Sequence, residues 1–263
     1  MKTNYHTHTT RCQHAYGSDE DFVLSAIKGG FQVLGFSDHT PWPYRTDYVS
    51  HIRMLPDELP GYMESIRALR DKYHEQIDIK IGLECEYFPE YIPWLKEQVK
   101  KHQLDYLIFG NHFYHTDEKF PYFGRNSHNH DMLDLYEESA IEGMESGLFA
   151  CLAHPDLFML SFPEWDHHCT TISRHICRAA ARLNIPLEYN ISRVASDEQH
   201  GTESYPYPKF WHIAASEGCT AIIGLDAHLN SFLEEVQYYD RAVRQLQELK
   251  IKRIDNLRML TDK

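Results

Sequence analysis

The sequence predicts an α/β fold in which seven parallel strands, each followed by a helix, close into a barrel or a distorted barrel. Short apolar or β-branched runs of roughly four to eight residues alternate with helical runs of about a dozen, which is typical of a parallel sheet. Seven such units can be counted, and a closed sheet leaves no edge strand to protect. A chain of 263 residues can bury one large core, so we expect residues 1–263 to form a single domain. A doubly wound open sheet is the alternative.

The seven units follow one another without a repeat, a low-complexity segment or a linker between them. In chain order, the strand-like and helical runs are TNYHTH with DEDFVLSAIKGG, FQVLGFSDH with LPGYMESIRALRDKYHE, IDIKIGLECE with YIPWLKEQVKKH, LDYLIFGNH with MLDLYEESAIEGMES, LFACLAHPD with HHCTTISRHICRAAARLN, PLEYNIS with KFWHIAASEG, and TAIIGLDAH with SFLEEVQYYDRAVRQLQELK. The first run of each pair is short and apolar or β-branched, and the second is long enough for a helix.

The chain is acidic, with a net charge of −13 from 26 Lys and Arg against 39 Asp and Glu. Sequence-independent binding to nucleic acid depends on basic side chains that neutralise phosphates, so this charge disfavours it. No run of five basic residues occurs either. We therefore expect no nucleic-acid partner, and the sequence makes no prediction of an oligomeric state.

The N-terminal residues MKTNYHTHTTRCQH contain no apolar stretch of the kind found in signal peptides, and no 18-residue apolar run occurs in the chain. We therefore expect a cytoplasmic protein without a membrane partner. The six cysteines show no Cys-x-x-Cys spacing, and we interpret them as reduced thiols rather than as a disulfide framework.

Histidines and carboxylates gather where the predicted strands end. His6 and His8 lie two residues apart in a strand and therefore point to the same face, although a single His-x-His pair is weak evidence among 18 histidines. In α/β barrels the chemistry lies at the carboxyl ends of the strands, and six of the seven predicted ends carry a metal-type ligand. With one histidine from the loop after the first strand, these ligands are His6, His8, His14, His39, Glu84, His112, His154, Asp226 and His228.

The types of ligand indicate the kind of ion. Imidazoles with two carboxylates suit zinc, manganese or iron, whereas calcium and magnesium favour oxygen ligands. At about three or four ligands per ion, with a carboxylate able to bridge, nine ligands predict two or three divalent ions. Three ions and two carboxylates leave a net charge of about +4, which suits a phosphate dianion. A structural zinc protein is the non-enzyme alternative, but such sites are usually rich in cysteine.

The motifs HTH, SDH, GLE, GNH, AHPD and LDAH, with His14, resemble in order and spacing the polymerase-and-histidinol-phosphatase superfamily of metal-dependent phosphoesterases. The resemblance runs from residue 4 to about residue 230. It implies a distorted seven-stranded β/α barrel with two or three ions at its mouth. It also implies which residues bind each ion: His6, His8, Glu84 and Asp226 the first, His14, His39 and His228 the second, and Glu84, His112 and His154 the third.

Within that superfamily, the segments GLECEYFPE, HPDL, LEYN and YPYPKFWHIAASEGCTAIIGLDAH are similar to those of the histidinol-phosphate phosphatases. Two positions depart from that family. NISRVAS occurs where the family commonly has Asn-Thr-Ser-Gly-Leu-Arg, so the arginine comes earlier, and Leu225 occurs where a serine is usual. Neither departure removes a metal ligand.

Arginine is the side chain best suited to bind phosphate, because its planar fork can hold two oxygens. Arg45, Arg125 and Arg193 lie on strand-end loops, where a solvated charge is the alternative interpretation. Arg193 is the strongest candidate because it lies three residues after Asn190, close to the family's arginine, and Arg125 is the second. His200, in the loop after the sixth strand, is a further candidate for substrate binding.

Three acidic residues beside the ligands have two interpretations each. Glu86 shares a strand face with Glu84, but the Gly-x-Glu position favours Glu84 as the ligand. Asp38 and Asp156 adjoin ligand histidines, and they either orient those imidazoles or simply belong to turns.

These features predict a phosphomonoesterase, and the resemblance favours L-histidinol phosphate, an intermediate of histidine biosynthesis, as its substrate. A hydroxide that bridges two ions would attack phosphorus, since a bound divalent ion lowers the pKa of water from 15.7 to roughly 7. A proton donor would assist the departing alkoxide, and Asp226, His228 and a metal-bound water are the candidates. The alternatives on the same scaffold are a nuclease and a phosphoesterase of another small metabolite or nucleotide, and the acidic charge counts against the nuclease.

Overall fold

The structure, a computed structural model, describes residues 1–262 and contains one sheet whose strands are all parallel and follow chain order. Its strands are β1 Thr3–Asn4, β2 Val33–His39, β3 Asp78–Cys85, β4 Tyr106–Gly110, β5 Leu152–Ala153, β6 Leu187–Asn190, β7 Thr220–Gly224 and β8 Lys252–Arg253. The predicted α/β barrel is confirmed, but eight strands occur among the described residues instead of seven.

The barrel closes at its mouth between the segments that follow β1 and β7. Thr7 and Ala227 form a parallel bridge there. The amide of His8 donates to the carbonyl of Ala227 at 3.0 Å, and the amide of Ala227 donates to the carbonyl of His6 at 3.0 Å. Seven strands therefore surround the mouth, as the sequence predicts.

The eighth strand lies only at the opposite end of the barrel. β8 pairs with the start of β7 at Thr220 and Ala221, and the hydroxyl of Thr3 donates to the carbonyl of Asp255 at 2.7 Å. β8 thus fills the gap between β7 and β1 below the mouth. A strand of two residues has no hydrophobic pattern to read, which explains why the sequence did not predict it.

Helices connect the strands and cover the outside of the sheet. Their bounds are α1 Asp19–Lys28, α2 Leu59–Tyr73, α3 Ile92–His102, α4 Phe123–Asn126, α5 His130–Glu145, α6 His167–Leu183, α7 Val194–His200, α8 Pro208–Ser216 and α9 Val236–Glu248. Seven of them coincide with the predicted helical runs. The short helices α4 and α7 were not predicted; α7 has no buried residue, so no apolar periodicity marks it in the sequence.

Tyr106 belongs to a small hydrophobic cluster that fills the barrel below the mouth. Tyr106 is fully buried, and its hydroxyl lies 2.7 Å from the carbonyl oxygen of Tyr5 and 3.0 Å from that of Phe36. A Cβ atom on Gly35 would lie 2.3 Å from this hydroxyl, so only glycine leaves room for the ring. The interior below the mouth is therefore packed, and a cavity can open only towards the carboxyl ends of the strands.

The six cysteines are all buried and free, as their interpretation as reduced thiols requires. No helix among residues 1–262 combines the length and the apolar character needed to span a bilayer.

Candidate metal centre

Four side chains converge at the mouth beside the closing bridge. The Nε2 atoms of His6 and His8 are 3.1 Å apart, and they lie 3.4 and 3.2 Å from the Asp226 carboxylate. The same two atoms lie 3.3 and 3.5 Å from Glu84 Oε2. In a tetrahedral zinc site with bonds of about 2.0–2.1 Å, neighbouring ligand atoms are about 3.3–3.4 Å apart. The two imidazole nitrogens therefore have, from each other and from both carboxylates, the spacing that ligands of one divalent ion require.

Glu84, at the end of β3, faces a second group with its other oxygen. Oε1 lies 3.0 Å from Nε2 of His154 and 3.4 Å from Nε2 of His112. The Glu84 side chain is 1% exposed, and a Cβ on Gly110 would lie 2.4 Å from Oε1. The carboxylate is thus fixed between two groups of imidazoles, as a bridge between two ions would need to be.

The remaining predicted ligands lie on the open side of the cluster. The Nε2 atoms of His14 and His228 are 2.9 Å apart, and a ring nitrogen of His39 lies within 4.8 Å of one in His228. Nδ1 of His39 also lies 3.0 Å from Glu84. The structure thus brings all nine predicted ligands together. Cys12, which the sequence did not suggest as a ligand, lies with His14 and His228 in a group whose potential ligand atoms are within 4.8 Å of one another.

Three buried carboxylates lie behind the histidines and contact their outward-facing nitrogens. Glu188 is 2.9 Å from Nδ1 of His6, Glu86 is 3.0 Å from Nδ1 of His112, and Asp38 is 3.5 Å from Nδ1 of His8. Carboxylates in this position fix the tautomer and orientation of a metal-binding imidazole. Asp38 and Glu86 therefore have the orienting geometry rather than the ligand geometry, whereas Asp156 instead accepts hydrogen bonds from the amide of Tyr207 and the indole of Trp211.

Glu188 was missed by the sequence analysis, which found no ligand at the end of β6. It also accepts hydrogen bonds from the amide of His154 and the side chain of Asn190, at 3.1 and 2.8 Å. A Cβ on Gly224 would lie 1.8 Å from its carboxylate, so a glycine in β7 makes room for it. The alternation of Glu188 and Asn190 on one face of β6 was the available signal.

Burial and neighbouring charges shift the pKa values of the cluster histidines in opposite directions. Burial disfavours the charged form of His6, but Glu188, Asp226 and Glu84 outweigh burial and hold the pKa of His6 well above its usual value. Burial and then the charge on His8 lower the pKa of His228 to about 3. The cluster cannot protonate all its imidazoles together, and cations that compete with protons for these nitrogens fit it well.

A cavity of about 820 Å³ opens above the cluster. Arg125 and Arg193 line it, and Nε of Arg193 is buried without a hydrogen-bond partner among residues 1–262. Two tyrosines, Tyr122 and Tyr205, line it as well. Burial, and then the nearby charge of Asp226, raises the pKa of each phenol, so both remain hydrogen-bond donors.

Two other basic residues do not reach the cavity. His200 lies in the last turn of α7, where its Nδ1 contacts the carbonyl of Ser196 at 2.8 Å, and it is not among the described lining residues. His200 therefore does not line the cavity where its substrate contact was expected, because the unpredicted helix α7 directs its ring towards Ser196. Arg45 forms an exposed ion pair with Glu90.

Sequence comparison matches the chain to a family model and to known proteins. The family model of the PHP domain matches residues 4–192. A relative from Deinococcus radiodurans, named "Probable histidinol-phosphatase", is 28% identical over 232 residues, which cover 85% of this chain and 85% of the relative. The histidinol-phosphatase of Bacillus subtilis is 28% identical over 128 residues, which cover 46% of this chain and 47% of that protein.

Among solved structures, a histidinol phosphate phosphatase from Lactococcus lactis, complexed with zinc, L-histidinol and phosphate, matches with a TM-score of 0.74 and 18% identity. The match covers 98% of this chain and 98% of that chain. At this level of identity the likeness shows a shared fold, a distorted α/β barrel.

Proposed function

This chain belongs to the PHP domain family, and from that premise we propose that it hydrolyses a small phosphomonoester, L-histidinol phosphate, at a cluster of two or three divalent ions. The observation that carries the proposal is the convergence of nine ligand-type side chains below a cavity lined by Arg125 and Arg193. The relatives from Deinococcus radiodurans and Bacillus subtilis, both named as histidinol-phosphatases, support the choice of substrate.

We propose the ligand sets implied by the family resemblance. His6, His8, Glu84 and Asp226 would hold the first ion, His14, His39 and His228 the second, and Glu84 with His112 and His154 the third. Zinc, manganese and iron all suit this donor set. When bound, such ions supply Lewis acidity, which acidifies water and stabilises the charge of the phosphoryl group in the transition state.

The side chains above the cluster would orient the substrate. A guanidinium fork at Arg193 can take two phosphate oxygens, and Arg125 adds a second positive charge to the lining of the same cavity. The phenols of Tyr122 and Tyr205 can donate hydrogen bonds to the remaining oxygens. The substrate would therefore enter phosphate first, with its imidazole towards the open side of the cavity.

The proton for the leaving alkoxide has a restricted set of sources. The depressed pKa of His228, about 3, leaves its ring neutral at pH 7, and nearby histidines hold the pKa of Asp226 well below its usual value despite burial. A neutral imidazole and an ionised carboxylate are suited to binding an ion rather than to donating a proton. Of the three predicted donors, these two pKa shifts favour a metal-bound water over Asp226 and His228.

The proposal takes residues 1–263 as one catalytic unit with a small-molecule substrate and without a nucleic-acid partner. It places the protein in the cytoplasm, where its six buried cysteines would stay reduced.

A substrate panel tests the proposal. Bound metal ions are removed from the purified protein, which is then loaded with manganese, zinc or iron. Phosphate release is measured from histidinol phosphate, p-nitrophenyl phosphate, nucleoside monophosphates and sugar phosphates. We expect the highest kcat/KM for histidinol phosphate. If the protein hydrolyses another ester but not histidinol phosphate, that ester is the better candidate for the substrate. If it binds ions but hydrolyses none of the esters, the non-catalytic alternative is favoured.

A further inference from the structure

Arg53 lies in the loop between β2 and α2, outside the candidate cluster, and its side chain is 2% exposed. All five N–H groups of its guanidinium have acceptors. Nε donates to Ser50 at 3.2 Å; Nη1 donates to the carbonyl of Thr40 at 2.9 Å and to Glu86 at 3.0 Å; Nη2 donates to Glu86 at 3.2 Å and to Asp117 at 3.0 Å. A side chain bonded so completely has no freedom to move.

Glu86 connects the guanidinium of Arg53 to the metal cluster. Its Oε2 also accepts a hydrogen bond from the indole of Trp42 at 2.7 Å, and its Oε1 lies 3.0 Å from Nδ1 of His112. A carboxylate at Nδ1 keeps the proton on that atom, so the lone pair of Nε2 faces Glu84, which lies 3.4 Å away. The orientation of His112 therefore depends on Glu86, and that of Glu86 depends on Arg53.

The same guanidinium joins two walls of the cavity. Its own loop supplies the lining residues His51 and Ile52, and the loop that contains Asp117 supplies Phe113 and Tyr122. Asp117 is held further by hydrogen bonds from the hydroxyls of Ser50 and Tyr44. Removing the guanidinium would leave two buried carboxylates without their shared counter-charge, which would release both loops.

We propose that Arg53 is a positioning residue for the metal cluster, which acts through Glu86 to hold His112 in the orientation that binds an ion. The inference rests on the proposed function, since it takes His112 as a ligand. Arg53 touches neither the ion nor the substrate.

The test compares ion binding by the stripped protein and by three variants, measured in competition with a chromophoric chelator. Arg53→Lys keeps the charge but loses the fork, and Glu86→Gln removes the carboxylate that His112 contacts. We expect both to bind the weakest-held ion about 10- to 100-fold less tightly, the scale found when an outer partner of a metal ligand is lost. Arg70→Lys is the matched control, because Arg70 pairs with Asp105 away from the cluster, and it should bind ions as the parent does.

A double-mutant cycle separates positioning from general destabilisation. In a His112→Ala background, Arg53→Lys should weaken ion binding no further, because the route through His112 is already lost. An equal loss of affinity in both backgrounds would overturn the proposal, as would a lowered Tm with unchanged ion affinity in Arg53→Lys. If Arg53→Lys does not fold, unchanged ion affinity in Glu86→Gln overturns it instead. A parent protein that binds no divalent ion would overturn the proposed function and this inference together, whereas unchanged variants of an ion-binding parent overturn the inference alone.

Discussion

Replacing Glu84 by glutamine is the most direct test of the proposed metal centre. The carboxylate faces His6, His8 and His39 through Oε2, at 3.0–3.5 Å, and His112 and His154 through Oε1, at 3.0–3.4 Å. An amide has one oxygen, so it can serve one of these two groups and presents an NH₂ to the other. At 1% exposure, the side chain cannot turn towards solvent. One ion must therefore lose a ligand, and two ions lose a shared negative charge.

We expect Glu84→Gln to lose one or two ions and at least about a hundredfold in kcat for histidinol phosphate, equivalent to about 2.7 kcal/mol. Ion content is counted by plasma mass spectrometry, and kcat is measured as phosphate release. Glu97→Gln, an exposed change on α3, is the control and should alter neither quantity. Full ion content and activity in Glu84→Gln, with both lost in Glu86→Gln, would show that the bridging carboxylate has been wrongly assigned.

Three further predictions follow from the structure. A strong chelator should abolish activity but leave most of the far-UV circular dichroism, because the core is independent of the cluster; cooperative unfolding would favour a structural zinc site. Arg193→Ala should lower kcat/KM for histidinol phosphate by about ten- to a hundredfold without changing the ion content, and Arg125→Ala should lower it by less. If Arg193→Ala turns over the substrate as the parent does, another side chain must bind the phosphate. Burial raises the pKa of Asp156 to about 7, so its contribution to the free energy of unfolding is present below about pH 4 and is lost as pH rises to 7. Chemical denaturation should therefore show that the free energy of unfolding of Asp156→Asn, relative to that of the parent, rises by about 3 kcal/mol between pH 5 and pH 8. A difference that does not change with pH would contradict this.

The ligands could be predicted from the sequence because their positions depend on local geometry. Residues two apart in a strand share a face, so the orientation of His6 and His8 follows from their spacing alone. The barrel architecture then brings the strand ends together, since parallel strands all end at one mouth. Glu84 and Glu86 share a strand face by the same rule, so only the Gly-x-Glu position favoured Glu84, and the structure shows that Glu86 lies behind His112.

What the sequence could not show depends on partners from distant segments. The position of Glu188 behind His6 requires the space left by Gly224 in the neighbouring strand, and nothing in LEYN indicates that space. Arg53 lies in a loop, and its acceptors come from three separate segments. His200 lies away from the cavity because Val194–His200 form a short helix that has no buried residue, and therefore lacks the apolar periodicity that would predict it.

The closure of the mouth by the bridge between Thr7 and Ala227 has a consequence for biosynthesis. The first proposed ion needs both His6 and His8 and also Asp226, more than 200 residues later, so a ribosome must extend the chain past Asp226 before that site exists. The contact between Thr3 and Asp255 joins residues 252 positions apart. Such distant contacts raise the contact order and slow folding. Until then the emerging chain exposes only part of the proposed ligand set, and we expect the first ion to bind only after Asp226 has emerged from the ribosome.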